Sequence, residues 1–111
     1  MKTDHAAQLD ALGEPTRRAI FELLTREEQA VGELATHFPI SRPAVSQHLR
    51  VLVDAGLLTV RRDGSRRLYA ADPDGIALLR ASVEQFWRDA LVAFKDVAEQ
   101  PPAEPVPEEE R

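Results

Sequence analysis

The sequence predicts a mainly helical fold that carries one small β-hairpin. Apolar side chains recur at spacings of three and four residues in several separate stretches, which is the pattern of amphipathic helices. Pro and Gly residues separate most of these stretches, as expected at helix boundaries. One further stretch alternates apolar and polar residues around Asp63 and Gly64, which is typical of a two-stranded hairpin.

Three helices are expected first, over residues 5–12, 15–26 and 32–38. Asp4 is the expected N-cap of the first helix, and Gly13 suits the position after its end. The fixed φ of Pro15 suits the first turn of the second helix. Pro39 ends the third helix because proline cannot continue one.

A fourth helix is expected from Ser41 to about Asp54. The Ser41 hydroxyl is placed to accept hydrogen bonds from the free amides of the first turn, so it is the predicted N-cap. Three apolar residues at positions i, i+4 and i+7 form the predicted buried face: Val45, Leu49 and Leu52. Gln47 and Arg50 project to the opposite side, which predicts an exposed polar face.

The hairpin follows directly and is rich in arginine. Its strands are predicted over residues 58–62 and 66–70, with Asp63 and Gly64 as the turn. Asp72 and Pro73 then have the pattern of an N-cap and a first helical residue, so a long fifth helix is expected to about Glu99. Its apolar arc is wide, which leaves two interpretations open: the aromatic residues are core, or they form a surface for a partner.

The composition and the absence of known motifs exclude several classes of function. The chain has 111 residues and no cysteine, so disulfides, Cys-ligated zinc and thiol nucleophiles are excluded. The sequence contains no G-x-S-x-G, glycine-rich phosphate loop or H-E-x-x-H pattern, so we do not expect an enzyme. No apolar run approaches the roughly 18 residues of a spanning helix, and the first residues do not have the pattern of a signal peptide. We therefore expect a cytoplasmic protein without membrane association.

Charge is distributed unevenly along the chain. The net charge is −5, yet residues 41–70 contain six Arg and only two Asp. The basic block coincides with the fourth helix and the hairpin. The final residues are rich in Pro and Glu and have little apolar surface to bury. We therefore predict one domain over residues 1–99 and a disordered acidic tail over residues 100–111.

Two short helices followed by a basic hairpin form the outline of a winged helix-turn-helix, with element order α-α-α-α-β-β-α. The segments that carry a closer resemblance are Leu12–Arg18, Val31–Ala35, Ser41–Leu52, Asp54–Leu58 and Gly64–Tyr69. In these segments the chain resembles the ArsR-type (ArsR/SmtB) family of bacterial repressors, in its cysteine-free subgroup. The resemblance implies a homodimer, paired through the first and last helices, that represses transcription by binding an inverted-repeat operator of double-stranded DNA in its own promoter.

Candidate DNA contacts come from the exposed face of the fourth helix and from the hairpin, or wing: Ser41, Arg42, Ser46, Gln47, His48, Arg50, Arg62, Arg66 and Arg67. Gln47 suits adenine, and Arg50 suits guanine or a phosphate. Arg42 and Ser46 fit phosphates better. His48 lies at the edge of the buried face, where a hydrogen-bonded structural role and a phosphate contact are both open.

Successive residues of a strand point to opposite faces, so not every wing arginine can face DNA. Arg66 and Arg67, near the tip, are favoured, followed by Arg62. The alternative is that these arginines only keep a strand edge soluble.

The implied dimer interface combines apolar residues of the first and fifth helices: Leu9, Leu12, Leu79, Val83, Phe86, Trp87, Ala90, Leu91 and Phe94. The fifth helix offers Glu84, Asp89 and Asp96 but no histidine, so the helix-borne metal site of the family is not expected, nor is any cofactor. The family implies release by a signal, and an organic ligand, heat, pH or no effector all remain open. A protein-docking module that has lost DNA binding is the alternative function.

Overall fold

The computed structural model describes residues 5–101 and confirms the mainly helical fold with a small antiparallel sheet. The elements, in chain order, are α1 (His5–Gly13), α2 (Pro15–Leu24), β1 (Gln29–Ala30), α3 (Val31–Ala35), α4 (Arg42–Asp54), β2 (Leu58–Asp63), β3 (Arg66–Ala71) and α5 (Pro73–Ala98). The predicted N-cap Asp4 and residues 102–111 of the predicted tail lie outside the described residues, so the division into domain and tail stays a prediction.

Helices α2 and α3 are shorter than predicted. Helix α2 ends at Leu24, because Thr25 is its C-cap and the Thr25 hydroxyl donates a hydrogen bond to the carbonyl of Glu22 at 2.6 Å. Helix α3 ends at Ala35, where Thr36 donates in the same way to the Glu33 carbonyl at 2.7 Å. In both cases a threonine hydroxyl binds the preceding turn, which the apolar spacing alone did not reveal.

Helix α4 follows the prediction closely. The Ser41 hydroxyl accepts a hydrogen bond from the backbone N–H of Ala44 at 3.2 Å, so Ser41 is the N-cap. Val45, Leu49 and Leu52 are fully buried. They join the core formed with Ala11, Ile20, Leu24, Leu34, Ala55, Leu57 and Leu58. The core therefore fixes which side of α4 remains exposed.

The sheet has three strands in the order β1-β3-β2. Strand β1 was not predicted, since two residues are too few to show an alternating pattern. It pairs with β3 through Gln29 opposite Tyr69 and Ala30 opposite Leu68. This pairing ties the wing to the start of α3.

The wing turn lies one residue later than predicted. Asp63 and Arg66 are paired strand residues, so the two-residue loop is Gly64-Ser65 rather than Asp63-Gly64. Gly64 has a φ of 64° and is the first central residue of the loop. A glycine with positive φ in that position is typical of the hairpin turn whose twist matches the strands.

Helix α5 begins as predicted, with the Asp72 carboxylate accepting from the backbone N–H of Asp74 at 3.0 Å. Its first turn packs tightly on the end of α4: a Cβ at Gly75 would lie 1.7 Å from the carbonyl oxygen of Gly56. The amide of Gln8, which is fully buried, donates to the Gly75 carbonyl at 2.9 Å. The helices α1, α4 and α5 therefore meet at one junction.

The C-terminal part of α5 contributes nothing to the core. Every residue of α5 from Leu91 onward is exposed. Within residues 5–101, no helix combines the length and the apolar character needed to cross a membrane.

Candidate nucleic-acid interface

The exposed face of α4 carries most of the predicted DNA contacts. Arg42, Ser46, Gln47 and Arg50 are exposed, as is the capping Ser41. Gln47 and Arg50 lie on the side of α4 opposite the buried face, and Ser46 lies at its edge. The predicted polar positions of α4 are therefore accessible for contact.

His48 has different surroundings. Its side chain is half-buried, and its Nδ1 lies 3.8 Å from Oε2 of Glu14. Glu14 is the N-cap of α2, and its carboxylate accepts from the backbone N–H of Arg17 at 2.6 Å. That hydrogen bond is the main cause of the lowered pKa of Glu14. His48 thus links α4 to the start of α2, and its proposed phosphate contact is not tested by this geometry.

The strand register divides the wing arginines between two faces. Arg62 lies directly opposite Arg67, so both side chains project from the same face of the hairpin. Arg61 lies opposite the buried Leu68 and therefore projects from the other face. Arg66, paired with Asp63 at the tip, lies on the same face as Arg61, so Arg66 and Arg67, which the sequence favoured together, project from opposite faces of the hairpin.

An open groove of about 960 Å³ lies between α4, the wing and the start of α3. It brings together five of the nine predicted DNA contacts: Arg42, Ser46, Arg50, Arg66 and Arg67. Between them lie the apolar side chains of Val31, Val53, Val60 and Tyr69. Ser41, Gln47, His48 and Arg62 do not line the groove. Arginines far apart in the sequence therefore share one concave surface.

Two glutamates that the sequence analysis left without a role bind wing arginines. Arg61 donates two hydrogen bonds to the Glu28 carboxylate, at 2.7 and 2.6 Å, and this contact lowers the pKa of Glu28 and raises that of Arg61. Arg66 donates a single bond of 3.2 Å to Glu33. The acidic first turn of α3 was visible in the sequence, but its closeness to the wing depends on the pairing of β1 with β3.

Gly32 also belongs to this surface. The guanidinium of Arg42 lies over it, with Nη2 3.0 Å from the place that a Cβ would occupy. A side chain at position 32 would therefore push Arg42 away from the start of α3. Sequence reasoning did not identify this contact, because it joins residues of two different helices.

The predicted dimer residues form a second surface, made mainly of α5. Phe86, Trp87, Leu91 and Phe94 are each 60–70% exposed, and Leu9 of α1 is 50% exposed. Phe86 and Trp87 contact each other edge to face, with ring centroids 5.6 Å apart. The other four predicted residues are partly covered by the chain itself: Leu12, Leu79, Val83 and Ala90. Of these, Leu12 and Leu79 pack against the core.

A hollow of about 630 Å³ lies between α1 and α5, and Leu9, Val83, Phe86 and Trp87 line part of it. The part of the chain that the structure describes holds no group of three or more His, Asp or Glu side chains arranged to bind a metal ion.

The chain is similar to known helix-turn-helix proteins. The sequence profile of a helix-turn-helix domain matches residues 12–61. The HTH-type transcriptional regulator Rv2034 of Mycobacterium tuberculosis is 52% identical over 84 residues, which are 76% of this chain and 78% of that protein.

Two solved structures are also similar. A possible transcriptional regulator for arsenical resistance shares 53% identity and has a TM-score of 0.68, with 86% of this chain and 97% of that chain covered. An ArsR-like transcriptional regulator from Rhodococcus sp. RHA1 shares 31% identity and has a TM-score of 0.71, with 87% and 94% covered.

Proposed function

Because the chain belongs to the ArsR family of winged helix-turn-helix transcriptional regulators, we propose that it is a cytoplasmic repressor that binds an inverted-repeat operator in its own promoter as a homodimer. Its relatives are transcriptional regulators, and no enzymatic role is proposed. The observation that carries the DNA-binding part of the proposal is the groove. Arg42 and Arg50 of α4 line it together with Arg66 and Arg67 of the wing.

The proposed docking follows from the dimensions of DNA. A helix fits the major groove, where its exposed side chains reach base edges. Gln47 and Arg50, on the exposed face of α4, are the proposed base contacts. The other arginines of the groove, Arg42, Arg66 and Arg67, would then bind phosphates, and these contacts position the protein without reading sequence. Arg62 and Arg67, which share one face of the hairpin, are the proposed wing contacts.

The homodimer is supported by the exposed apolar surface of α5. Six large apolar side chains with 60–70% exposure lie on this one helix: Phe86, Trp87, Leu91, Val92, Phe94 and Val97. Leu9 of α1 adds to them. An apolar patch of this kind on a small protein marks an interaction surface. Closed symmetric dimers are the most common oligomers of soluble proteins. A second copy of the chain is therefore the proposed partner.

A fluorescence anisotropy titration tests the proposal. The full chain is titrated against a labelled duplex of its own upstream region and against a shuffled duplex of equal composition, over a series of salt concentrations. We expect the upstream duplex to bind more tightly by a factor of about 10³ or more. Footprinting should then show two protected half-sites about 10 base pairs apart, as two recognition helices on one face of DNA require.

Arg50→Gln is the informative variant, and Arg18→Gln is its control, because Arg18 is an exposed arginine of α2 outside the groove. We expect the change at Arg50 to reduce operator affinity at least about tenfold, which corresponds to the loss of one good base or phosphate contact. Equal affinity for the two duplexes at low salt would refute the proposal and favour a protein-docking role.

A further inference from the structure

We propose that Glu33 limits the affinity of this protein for DNA by competing with DNA phosphate for Arg66. This inference rests on the proposed function, because it assigns a role to an acidic residue inside the proposed DNA groove. Among the groove-lining residues in the described part of the chain, Glu33 is the only acidic one, beside Arg42, Arg50, Arg66 and Arg67. A carboxylate at such a place opposes the binding of a polyanion.

A backbone hydrogen bond at the start of α3 holds the Glu33 carboxylate in place. Oε1 of Glu33 accepts a hydrogen bond from the backbone N–H of Ala30 at 3.3 Å, just before α3 begins. The same oxygen accepts from Nη1 of Arg66 at 3.2 Å. The carboxylate is therefore held at the start of α3, facing the wing, before DNA arrives.

The hydrogen bond between Glu33 and Arg66 is weak, so another acceptor can replace the Glu33 carboxylate. It is a single hydrogen bond, and the side chains of Arg66 and Glu33 are 54% and 48% exposed. Exposed ion pairs of this kind contribute little to stability. A DNA phosphate, which is a strong acceptor for arginine, can therefore replace the carboxylate.

A second ion pair already attaches the wing to the body. Arg61 and Glu28 form a two-bond contact with shorter distances, 2.7 and 2.6 Å, and neither residue lines the groove. Backbone pairing of β1 with β3 adds to this attachment. Glu33 is therefore not needed to hold the wing, and its charge inside the groove calls for a different role.

The capping bond to Ala30 is the simpler explanation for a glutamate at this position, and the choice of variant separates the two roles. Glutamine can accept the same backbone N–H, since Glu and Gln serve alike in this capping arrangement. Glu33→Gln thus removes the charge and keeps the cap. Glu28→Gln is the matched control, because it removes the same charge from the other wing ion pair, outside the groove.

The experiment measures anisotropy of a labelled non-operator duplex with the full chain, from about 50 to 200 mM salt. We expect Glu33→Gln to tighten binding roughly two- to fivefold per subunit, the size expected for one exposed ion pair. The slope of log K against log salt should change by much less than the roughly 0.9 of one phosphate contact, because Arg66 binds a phosphate in both proteins once the carboxylate has been replaced. Glu28→Gln should change neither quantity.

Arg66→Gln completes the test. If Glu33 acts by competing for Arg66, Glu33→Gln should change affinity less than 1.5-fold in that background, or roughly the experimental error. Tightening that persists without Arg66, equal tightening by both glutamate variants, or no tightening by Glu33→Gln would each overturn the inference. Thermal melts by circular dichroism check that all variants fold.

Failure of this inference is distinguishable from failure of the proposed function. If the wild-type chain prefers its operator but Glu33→Gln leaves the affinity unchanged, only the role of Glu33 is refuted. If the wild-type chain shows no preference for its operator, the repressor proposal itself is refuted.

Discussion

The junction between α5 and the end of α4 gives the sharpest prediction of stability. A Cβ at Gly75 would lie 1.7 Å from the carbonyl oxygen of Gly56 and 2.9 Å from the carbonyl carbon. Both groups belong to the backbone, so no side-chain rotation can relieve the overlap. Gly75→Ala therefore forces the first turn of α5 away from the turn that follows α4.

The size of the effect can be worked out from the same contact. The two backbones must separate by about 1.3 Å to reach the 3.0 Å that real Cβ atoms require. That shift also stretches the 2.9 Å bond from Gln8 to the Gly75 carbonyl. Overpacking of this kind costs about 3 kcal/mol, and the better helix propensity of alanine recovers about 1 kcal/mol. We expect a net loss of about 2 kcal/mol, or a Tm lower by about 8–16 °C.

Chemical denaturation followed by circular dichroism at fixed protein concentration measures this loss, since dimerisation would make stability depend on concentration. Gly13→Ala is the matched control. A Cβ at Gly13 meets nothing within 4 Å, and its φ is not positive, so alanine there should be neutral or stabilising by up to about 1 kcal/mol. If the free energy of unfolding of Gly75→Ala lies within about 0.5 kcal/mol of the wild-type value, the tight contact deduced from the structure is wrong.

Four further results are expected. Leu91→Asp should convert a dimer into a folded monomer in analytical ultracentrifugation, because Leu91 is 63% exposed and has no role in the core; a monomeric wild type would contradict this. Arg67→Gln should weaken operator and shuffled DNA alike and reduce the salt slope by about 0.9 per subunit, as a phosphate contact does; loss of sequence preference would instead mean that Arg67 reads bases. Glu14→Gln should destabilise the protein at pH 7 in thermal melts. A carboxylate with a lowered pKa stabilises the folded protein at pH values above its ordinary pKa of 4.5, and this stabilisation is lost as the pH falls through the folded-state pKa. The difference in Tm from the wild type should therefore shrink toward pH 3. A difference independent of pH would exclude the charge as its cause. Equimolar zinc should leave operator affinity unchanged in anisotropy titrations, and a tenfold shift would reveal a metal site.

The helices were largely predictable, because their signals are local. Ser41 caps α4 through an amide three residues away, and the spacing of Val45, Leu49 and Leu52 alone identified the buried face. Once that face is buried, Gln47 and Arg50 must be exposed. The polar face of the candidate site thus follows from the helical repeat, which is a property of neighbouring residues.

Local sequence patterns did not predict the strand register of the wing. Its arginines and its turn glycine were evident, but the position of the turn was one residue off. Strand register is set by pairing across the hairpin, so the opposition of Asp63 and Arg66 was required to place it. The same register assigns Arg62 and Arg67 to one face and Arg61 to the other, a division that the sequence left open.

The sequence by itself determined the fold class, the element order apart from β1, the exposed face of α4 and the basic character of the block over residues 41–70. Only the tertiary structure decided which side chains those charged residues contact. Glu28 and Glu33 lie 33 residues before Arg61 and Arg66, respectively, and they come together only because β1 pairs with β3. The close approach of Gly75 to Gly56 is likewise invisible in sequence. Helices and caps depend on residues within one turn of each other, whereas ion pairs, grooves and backbone contacts between elements depend on how the whole chain packs.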